Sequence, residues 1–309
     1  MSENNPNSGP VVLIGAGFAG LTTALALSRS KNRPQIILIE PRPRFIFLPL
    51  LYELLSREVR TWEVAPSYHS LLVERGIVLI KENVERINTH HQIIITSSGQ
   101  EINYAQVLIC TGSKPNNFGV PGVREHALTF HSLKDVEVLK KLINNFKDLD
   151  DIGKSLVIVG AGSTGIELAC KLFDLLGEHS KICLIDSAER ILPHGKSFNQ
   201  EQSERALKQR DIKIYLQTKV LGISASEVEL SSDMNQSLNT FHLAHGGLIW
   251  TGGTKAVCPE LIPSFSFENG SIVIDSYLQA IGLKNVFALG DLALNLDTPY
   301  PRTAQVAIQ

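Results

Sequence analysis

The alternation of apolar and polar positions repeats one unit twice. Val11–Ile14 is a short, continuous apolar run. A glycine turn follows, then an apolar stretch from about Ala19 to Ser30, then a second run from Gln35 to Glu40. Ser155–Val159 opens the same series again, with a glycine turn, a stretch from about Gly165 and a run over Lys181–Asp186. Short apolar runs bounded by glycine predict buried strands, and the longer stretches between them predict helices. Between the two units the pattern predicts a strand pair, Val84–Asn88 and Gln92–Thr96, joined at His90. It also predicts a buried strand in "VLICTG" and a helix in "SLKDVEVLKKLINNF". Later strand-like runs lie in "GGLIWTGG", "SIVIDSYLQ" and "VFALGD", and the closing "PRTAQVAIQ" reads as the first turns of a helix.

The glycine turns carry the first chemistry. "GAGFAG" sets Gly15, Gly17 and Gly20 between a strand and a helix, and "GAGSTG" sets Gly160, Gly162 and Gly165 likewise. The first glycine allows the tight turn, the second lets backbone approach a pyrophosphate, and the third lets the helix pack on the strand. A phosphate then meets free N–H groups at the positive end of the helix. Glu40 and Asp186 each end the following strand, where a carboxylate can accept from ribose hydroxyls. One such motif is weak, but two in the same strand–helix–acid register point to two dinucleotides. The usual pair is a flavin and a nicotinamide.

Alternating strands and helices predict an α/β fold with parallel sheets and helices on both faces. The simplest arrangement is two Rossmann-like (FAD/NAD(P)-binding) domains, the second inserted into the first. "VFALGD" would return to complete the first sheet. The expected divisions are a disordered tail over residues 1–9, a first domain over 10–122 and 256–309, and a second over 123–255. Near Asp186 a 2′-phosphate would meet like-charge repulsion of roughly 4 kcal/mol at about 4 Å before screening. This favours NADH, and Arg190 keeps NADPH open.

Composition narrows the classes. The chain has 309 residues, 43% of them hydrophobic and 19% charged, enough for two globular domains. A net charge of −2 gives no field for nucleic acid or an anionic membrane surface. The uncharged Val11–Ser28 is interrupted by three glycines and two threonines and lacks a basic flank, so it reads as strand, turn and helix and not as a signal or span. Cys110, Cys170, Cys183 and Cys258 are scattered, with no CxxC or CxxxxC pair, which fits a reduced compartment and argues against a disulfide relay. His242 and His245 have HxxH spacing, but on a strand they face opposite sides, so no metal is expected.

In order, GAGFAG…Glu40, "FLPLLYELL", "LICTGSKPN", GAGSTGIE…Asp186, "LIWTGG", "VFALGD" and "AQVAIQ" resemble a type II NADH:quinone oxidoreductase. These enzymes are two-dinucleotide-binding-domain flavoproteins of the pyridine nucleotide-disulfide oxidoreductase superfamily. The resemblance runs from Pro10 to the last residue, and "PLLYE" and "AQVAIQ" are its specific parts. Some cyanobacterial and plant members reduce methylated or demethylated naphthoquinones, and the motifs leave the quinone open. The resemblance implies FAD in the first domain and a nicotinamide in the second, with hydride passing to FAD and two electrons to a membrane quinone. It also implies a chain shortened at its C-terminus. The full-length form would dock peripherally on the cytoplasmic face of a membrane, and this chain would be a cytoplasmic monomer.

Further site residues follow. Gln305 and Gln309 share one helix face, beside Ala304, Ala307 and Ile308, and are expected at the flavin ring and quinone. Asp291 after Gly290 is expected on a ribityl hydroxyl, with capping of a following helix as the structural reading. Glu167 is expected to orient the nicotinamide. Thr111 and Gly112 would pass close to FAD, Thr251, Gly252 and Gly253 would play the matching part at the hinge between the domains, and Val84 would meet the adenine through its backbone. Pro49, Leu50 and Leu51 would line the flavin or quinone side. Two other readings stand beside the quinone one: the same flavin chemistry with a ferredoxin-like or other acceptor, and a non-catalytic nucleotide-binding module.

Overall fold

The computed structural model describes residues 9–148, 150–151, 153–193, 195–234, 237–263 and 267–309, so the expected tail over residues 1–9 lies outside it but for Gly9. In chain order the principal elements are β1 (Val11–Ile14), α1 (Phe18–Ser28), β2 (Ile36–Ile39), α2 (Leu51–Leu55), β3 (Ile77–Ile80) and β4 (Gln106–Ile109). Then come β5 (Ala127–Thr129), α3 (Leu133–Asn145), β6 (Ser155–Val159), α4 (Ser163–Leu176), β7 (Lys181–Ile185) and β8 (Lys213–Tyr215). The last are β9 (Gly247–Trp250), β10 (Val286–Ala288) and α5 (Ala304–Ile308).

The chain divides into two compact units. The first holds Met1–Ile46, Ala65–Lys114 and Lys255–Gln309; the second holds Phe47–Val64 and Pro115–Thr254. The expected boundary after residue 122 therefore moves to Lys114/Pro115. Phe47–Val64, expected with the first domain, joins the second because its helix α2 packs on α3 and α4.

Each unit is built on a five-stranded parallel sheet. The first has the order β10-β4-β1-β2-β3, so "VFALGD" does return to close the edge beside β4. The second has the order β8-β7-β6-β9-β5, the same pattern with a different last strand. In each, the strand before the glycine turn is central, flanked in parallel register by the strand that ends in the acid. Such a central position, where the strand order reverses, is where open α/β sheets bind ligands.

The central strands are apolar throughout because both faces are covered. In the first unit Val11 and Leu13 pack with Leu21 and Ala24 of α1 and with Tyr68. Val12 and Ile14 pack instead with Ile87, Ile94 and Ile102. That second layer is largely antiparallel: Val84–Asn88 pairs with Ile93–Thr96, as the pattern predicts, Glu101–Asn103 extends it, and Glu260–Ile262 adds one parallel strand on the other side of Val84–Asn88. In the second unit Val157, Val159, Leu248 and Trp250 meet Ile223, Val228 and Leu230 of another antiparallel sheet. The expectation of helices on both faces is thus corrected. One face carries strands, because alternating apolar residues such as Ile87 and Val228 offer a period-two face that fits the sheet. Among the described residues no helix is long and apolar enough to cross a membrane.

His245, just after the strand Ser237–Ala244, is 2% exposed, and neither ring nitrogen has a hydrogen-bond partner. Burial, helped by nearby His126, outweighs the opposing pull of the Glu227 backbone and holds its pKa below the ordinary value. The unfolded chain therefore takes a proton at about pH 6.5 that the folded chain refuses. Stability should fall as pH drops below that value towards the lowered folded pKa. His245→Phe should flatten this part of the melting-temperature profile, measured by differential scanning fluorimetry across the acid range.

Candidate functional site

The two glycine turns are near copies at atomic detail. Gly15 has φ +92° and Gly160 φ +111°, a backbone state that disfavours any side chain. A Cβ on Gly15 would lie 2.5 Å from the Cys110 carbonyl oxygen, and one on Gly160 would lie 2.8 Å from Thr251. A Cβ on Gly20 would stand 1.9 Å from the Gly15 carbonyl oxygen, and one on Gly165 would stand 1.8 Å from that of Gly160. The helices can approach the turns only because these positions are bare. At Gly17 and Gly162 a Cβ would meet nothing within 4 Å. These are the N-caps of α1 and α4, and no side chain caps either helix. Open space in front of an uncapped helix start fits a pyrophosphate in both units.

The strand-end acids hold the turns. Glu40 Oε2 accepts from the Ala16 N–H at 2.8 Å, and Asp186 Oδ2 accepts from the Ala161 N–H at 2.5 Å. The second oxygens accept from the backbone N–H two residues on, Arg42 at 2.9 Å and Ala188 at 2.8 Å. Glu40 differs in being 2% exposed and gripped by the Arg42 side chain at 2.8 and 2.9 Å. Burial would raise the Glu40 pKa, but the hydrogen bonds and charge of Arg42, with the two N–H donors, outweigh it and lower it. Tyr68, fully buried, donates to the Ala16 carbonyl at 2.7 Å from the other side. The glycine pattern signals neither Arg42 nor Tyr68, although Arg42 is the first arginine of "EPRPR".

Around the first turn the expected residues converge. Thr111 and Gly112 follow β4, the neighbour of β1, and Thr111 Oγ1 donates to the Val257 carbonyl. Gly112 has φ +65° and open space in front of it. A Cβ on Gly290, after β10, would lie 3.4 Å from the Ala19 methyl of α1 and 3.8 Å from that of Ala307 of α5. Asp291 caps no helix of its own, and its Oδ2 accepts from Ser113 Oγ at 2.5 Å. On α5, capped by Thr303, Ala304 is half-buried while Gln305 and Gln309 are exposed. Val84 begins its strand half-buried against the core.

In the second unit a cavity of about 300 Å³ opens beside the turn, lined by Gly160, Asp186, Lys219, Trp250, Gly252 and others. Trp250 is fixed by its Nε1–H donating to the Asn116 carbonyl at 2.8 Å. Thr251 Oγ1 donates to the Val159 carbonyl at 2.8 Å, tying β9 to the turn, and Gly253 follows with φ +124°. Lys219 is a cation the motif reading missed, because it comes from a strand well beyond the acid. Arg190 is exposed and does not line the cavity. Glu167 is exposed on α4, and Leu51, at the start of α2, is buried. Among the described residues no cluster could hold a metal ion, and all four cysteines are free.

The family model for pyridine nucleotide-disulphide oxidoreductase matches residues 9–309. The chain belongs to that family. It is 33% identical to the demethylphylloquinone reductase of Synechocystis, over 97% of this chain and 76% of that protein. It is 30% identical to the alternative NAD(P)H-ubiquinone oxidoreductase C1 of Arabidopsis thaliana, over 97% of this chain but only 64% of that one. The fold is that of NDH2 from Plasmodium falciparum, solved in complex with NADH, at a TM-score of 0.82 and 19% identity, covering 93% of this chain and 65% of that one.

The steric difference between the glycines can be tested within this family framework. Gly17→Ala and Gly162→Ala should leave the fold as stable as the parent but weaken dinucleotide binding about tenfold or more. Gly20→Ala and Gly165→Ala should destabilise by at least about 1–3 kcal/mol, because the methyl overlaps backbone. Thermal melts and dinucleotide titration of the four variants separate the two outcomes.

Proposed function

We propose that this chain is an FAD-dependent NAD(P)H:quinone oxidoreductase. The observation that carries the reading is the duplicated turn, in which two cradles in one chain share the same three glycine environments and the same acid-to-turn hydrogen bond. The names of the relatives, a demethylphylloquinone reductase and an NAD(P)H-ubiquinone oxidoreductase, support quinone as the acceptor. A lipid-borne quinone has to be met at a membrane surface, so the reading includes peripheral docking.

In this reading Gly15, Gly17, Gly20, Glu40, Thr111, Gly112, Gly290 and Asp291 would hold FAD, with Val84, Ala304 and Gln305 at its edges. Gly160, Gly162, Gly165, Asp186 and Gly252 would hold the nicotinamide dinucleotide, and Glu167 would orient it. Bound FAD would supply the two-electron chemistry, accepting hydride from the nicotinamide and reducing the quinone. The chain's own contribution is binding and orientation. The helix starts neutralise pyrophosphate charge, the strand-end acids hold the turns, and exposed Gln305 and Gln309 offer amides to a quinone carbonyl.

Anaerobic NADH should bleach the flavin of the purified chain stoichiometrically, and added quinone should restore its absorption. A chain that neither carries flavin nor takes up added FAD would overturn the reading. Asp186 also sets the nicotinamide preference. Asp186→Asn removes the charge facing a 2′-phosphate while Lys219 stays in the cavity, so the ratio of kcat/KM for NADH over NADPH should fall at least about tenfold.

A further inference from the structure

One loop of the second unit carries a side chain that core packing does not explain. Phe118 has φ +50°, a backbone state that is an outlier for a bulky residue. Its side chain is 63% exposed, so the backbone is not bent there to fill a core. The loop is nevertheless tied down at several points. The Asn116 N–H donates to the Gly253 carbonyl at 3.0 Å, and the Trp250 Nε1–H donates to the Asn116 carbonyl at 2.8 Å. The Asn116 side-chain oxygen accepts from the Phe118 N–H at 3.1 Å, and the Val120 N–H donates to the Asn117 carbonyl at 2.9 Å. Gly253 is bare where the tip of the ring comes down: a Cβ there would stand 3.3 Å from Phe118 Cζ. A lone exposed ring calls for no explanation. A strained residue that its surroundings over-determine points to function.

Phe118 borders the cavity of about 300 Å³ beside the second glycine turn. Val120, Val220 and Trp250 contribute apolar lining, and Asp186 and Lys219 are the charged residues that line it. Each carboxylate oxygen of Asp186 already accepts one backbone N–H, from Ala161 or Ala188, and keeps a further lone pair for a ribose hydroxyl. A carboxylate of this kind, beside an apolar slot edged by an exposed aromatic ring, matches a ribose joined to a flat heteroaromatic base. At a glycine turn of this type the strand-end acid meets the ribose of the adenosine half of a dinucleotide. The base next to that ribose is adenine.

We propose that Phe118 is the platform on which the adenine base of the nicotinamide dinucleotide stacks. The proposal rests on the reading of the second cradle as a nicotinamide-dinucleotide site. Stacking takes apolar surface of both the ring and the base out of water, and a π-face suits any base. The tied loop holds the ring at the cavity before the ligand arrives, so little freedom is lost on binding. Phe118 has no part in the electron transfer itself. It sets the affinity for the adenosine half and leaves the nicotinamide half untouched.

The test is calorimetric titration of ADP-ribose, which carries the adenosine half without the nicotinamide, into the purified chain. Phe118→Leu keeps an apolar side chain but no π-face, and should weaken ADP-ribose binding about tenfold. Phe118→Tyr keeps the face and should bind about as tightly as the parent. A second measurement uses the parent alone, deuterated except at its phenylalanines. Saturating the ring protons should attenuate the adenine H2 and H8 signals of ADP-ribose, because Phe118 is the phenylalanine that lines the cavity. Three results each overturn the proposal and leave the reading of the cradle standing: Phe118→Leu binding as tightly as the parent, Phe118→Tyr weakened as much as Phe118→Leu, or no transfer to H2 and H8. Should Phe118→Leu fail to fold, the transfer measurement decides. A parent that binds no ADP-ribose would instead sink the reading of the cradle, and the proposal with it.

Discussion

The contact on which each unit depends is the approach of a helix start to the turn that feeds it. In both, the third glycine sits so close to the carbonyl of the first that no methyl could stand between them. That closeness fixes where the uncapped helix start points. It also sets the distance over which the neighbouring strand's acid must reach to hold the turn. The dinucleotide cradle is therefore a consequence of helix-on-strand packing and not an addition to it. Polar groups that a ligand would meet are held by hydrogen bonds that the fold already needs.

The two cradles use the same backbone with different electrostatics. Glu40 is sealed from solvent and neutralised by its own half-exposed Arg42, so the first site presents a carboxylate that is already paired. Asp186 is half-buried at the edge of an open cavity that also receives Lys219. The first arrangement suits a ligand retained as part of the protein. The second suits one that enters, is read at its ribose and leaves.

Much of this was legible in the sequence because it rests on local rules. Val11–Ile14, Ser155–Val159, the hairpin about His90 and the return of "VFALGD" follow from apolar runs and glycine. The second layer of each unit was not legible as a layer, because period-two strands such as Val84–Asn88 show a face without showing what it covers. The allegiance of Phe47–Val64 was hidden for a related reason, since α2 is too short to carry a pattern and is placed by its packing on α3 and α4. Arg42, Tyr68 and Lys219 escaped because their roles arise from contacts across the fold.

The way the chain is divided also bears on the order in which it can fold during synthesis. The second unit is complete once Thr254 has emerged, whereas the first still lacks β10, its edge strand beside β4. Domains generally fold as units as the chain is made. The later-starting unit can therefore mature on the ribosome while the earlier one waits with an unpaired strand edge, the kind of edge that invites association with other chains. Slowed elongation between Thr254 and Val286 would lengthen that exposure, which makes the stretch joining the units a point where translation speed and aggregation meet.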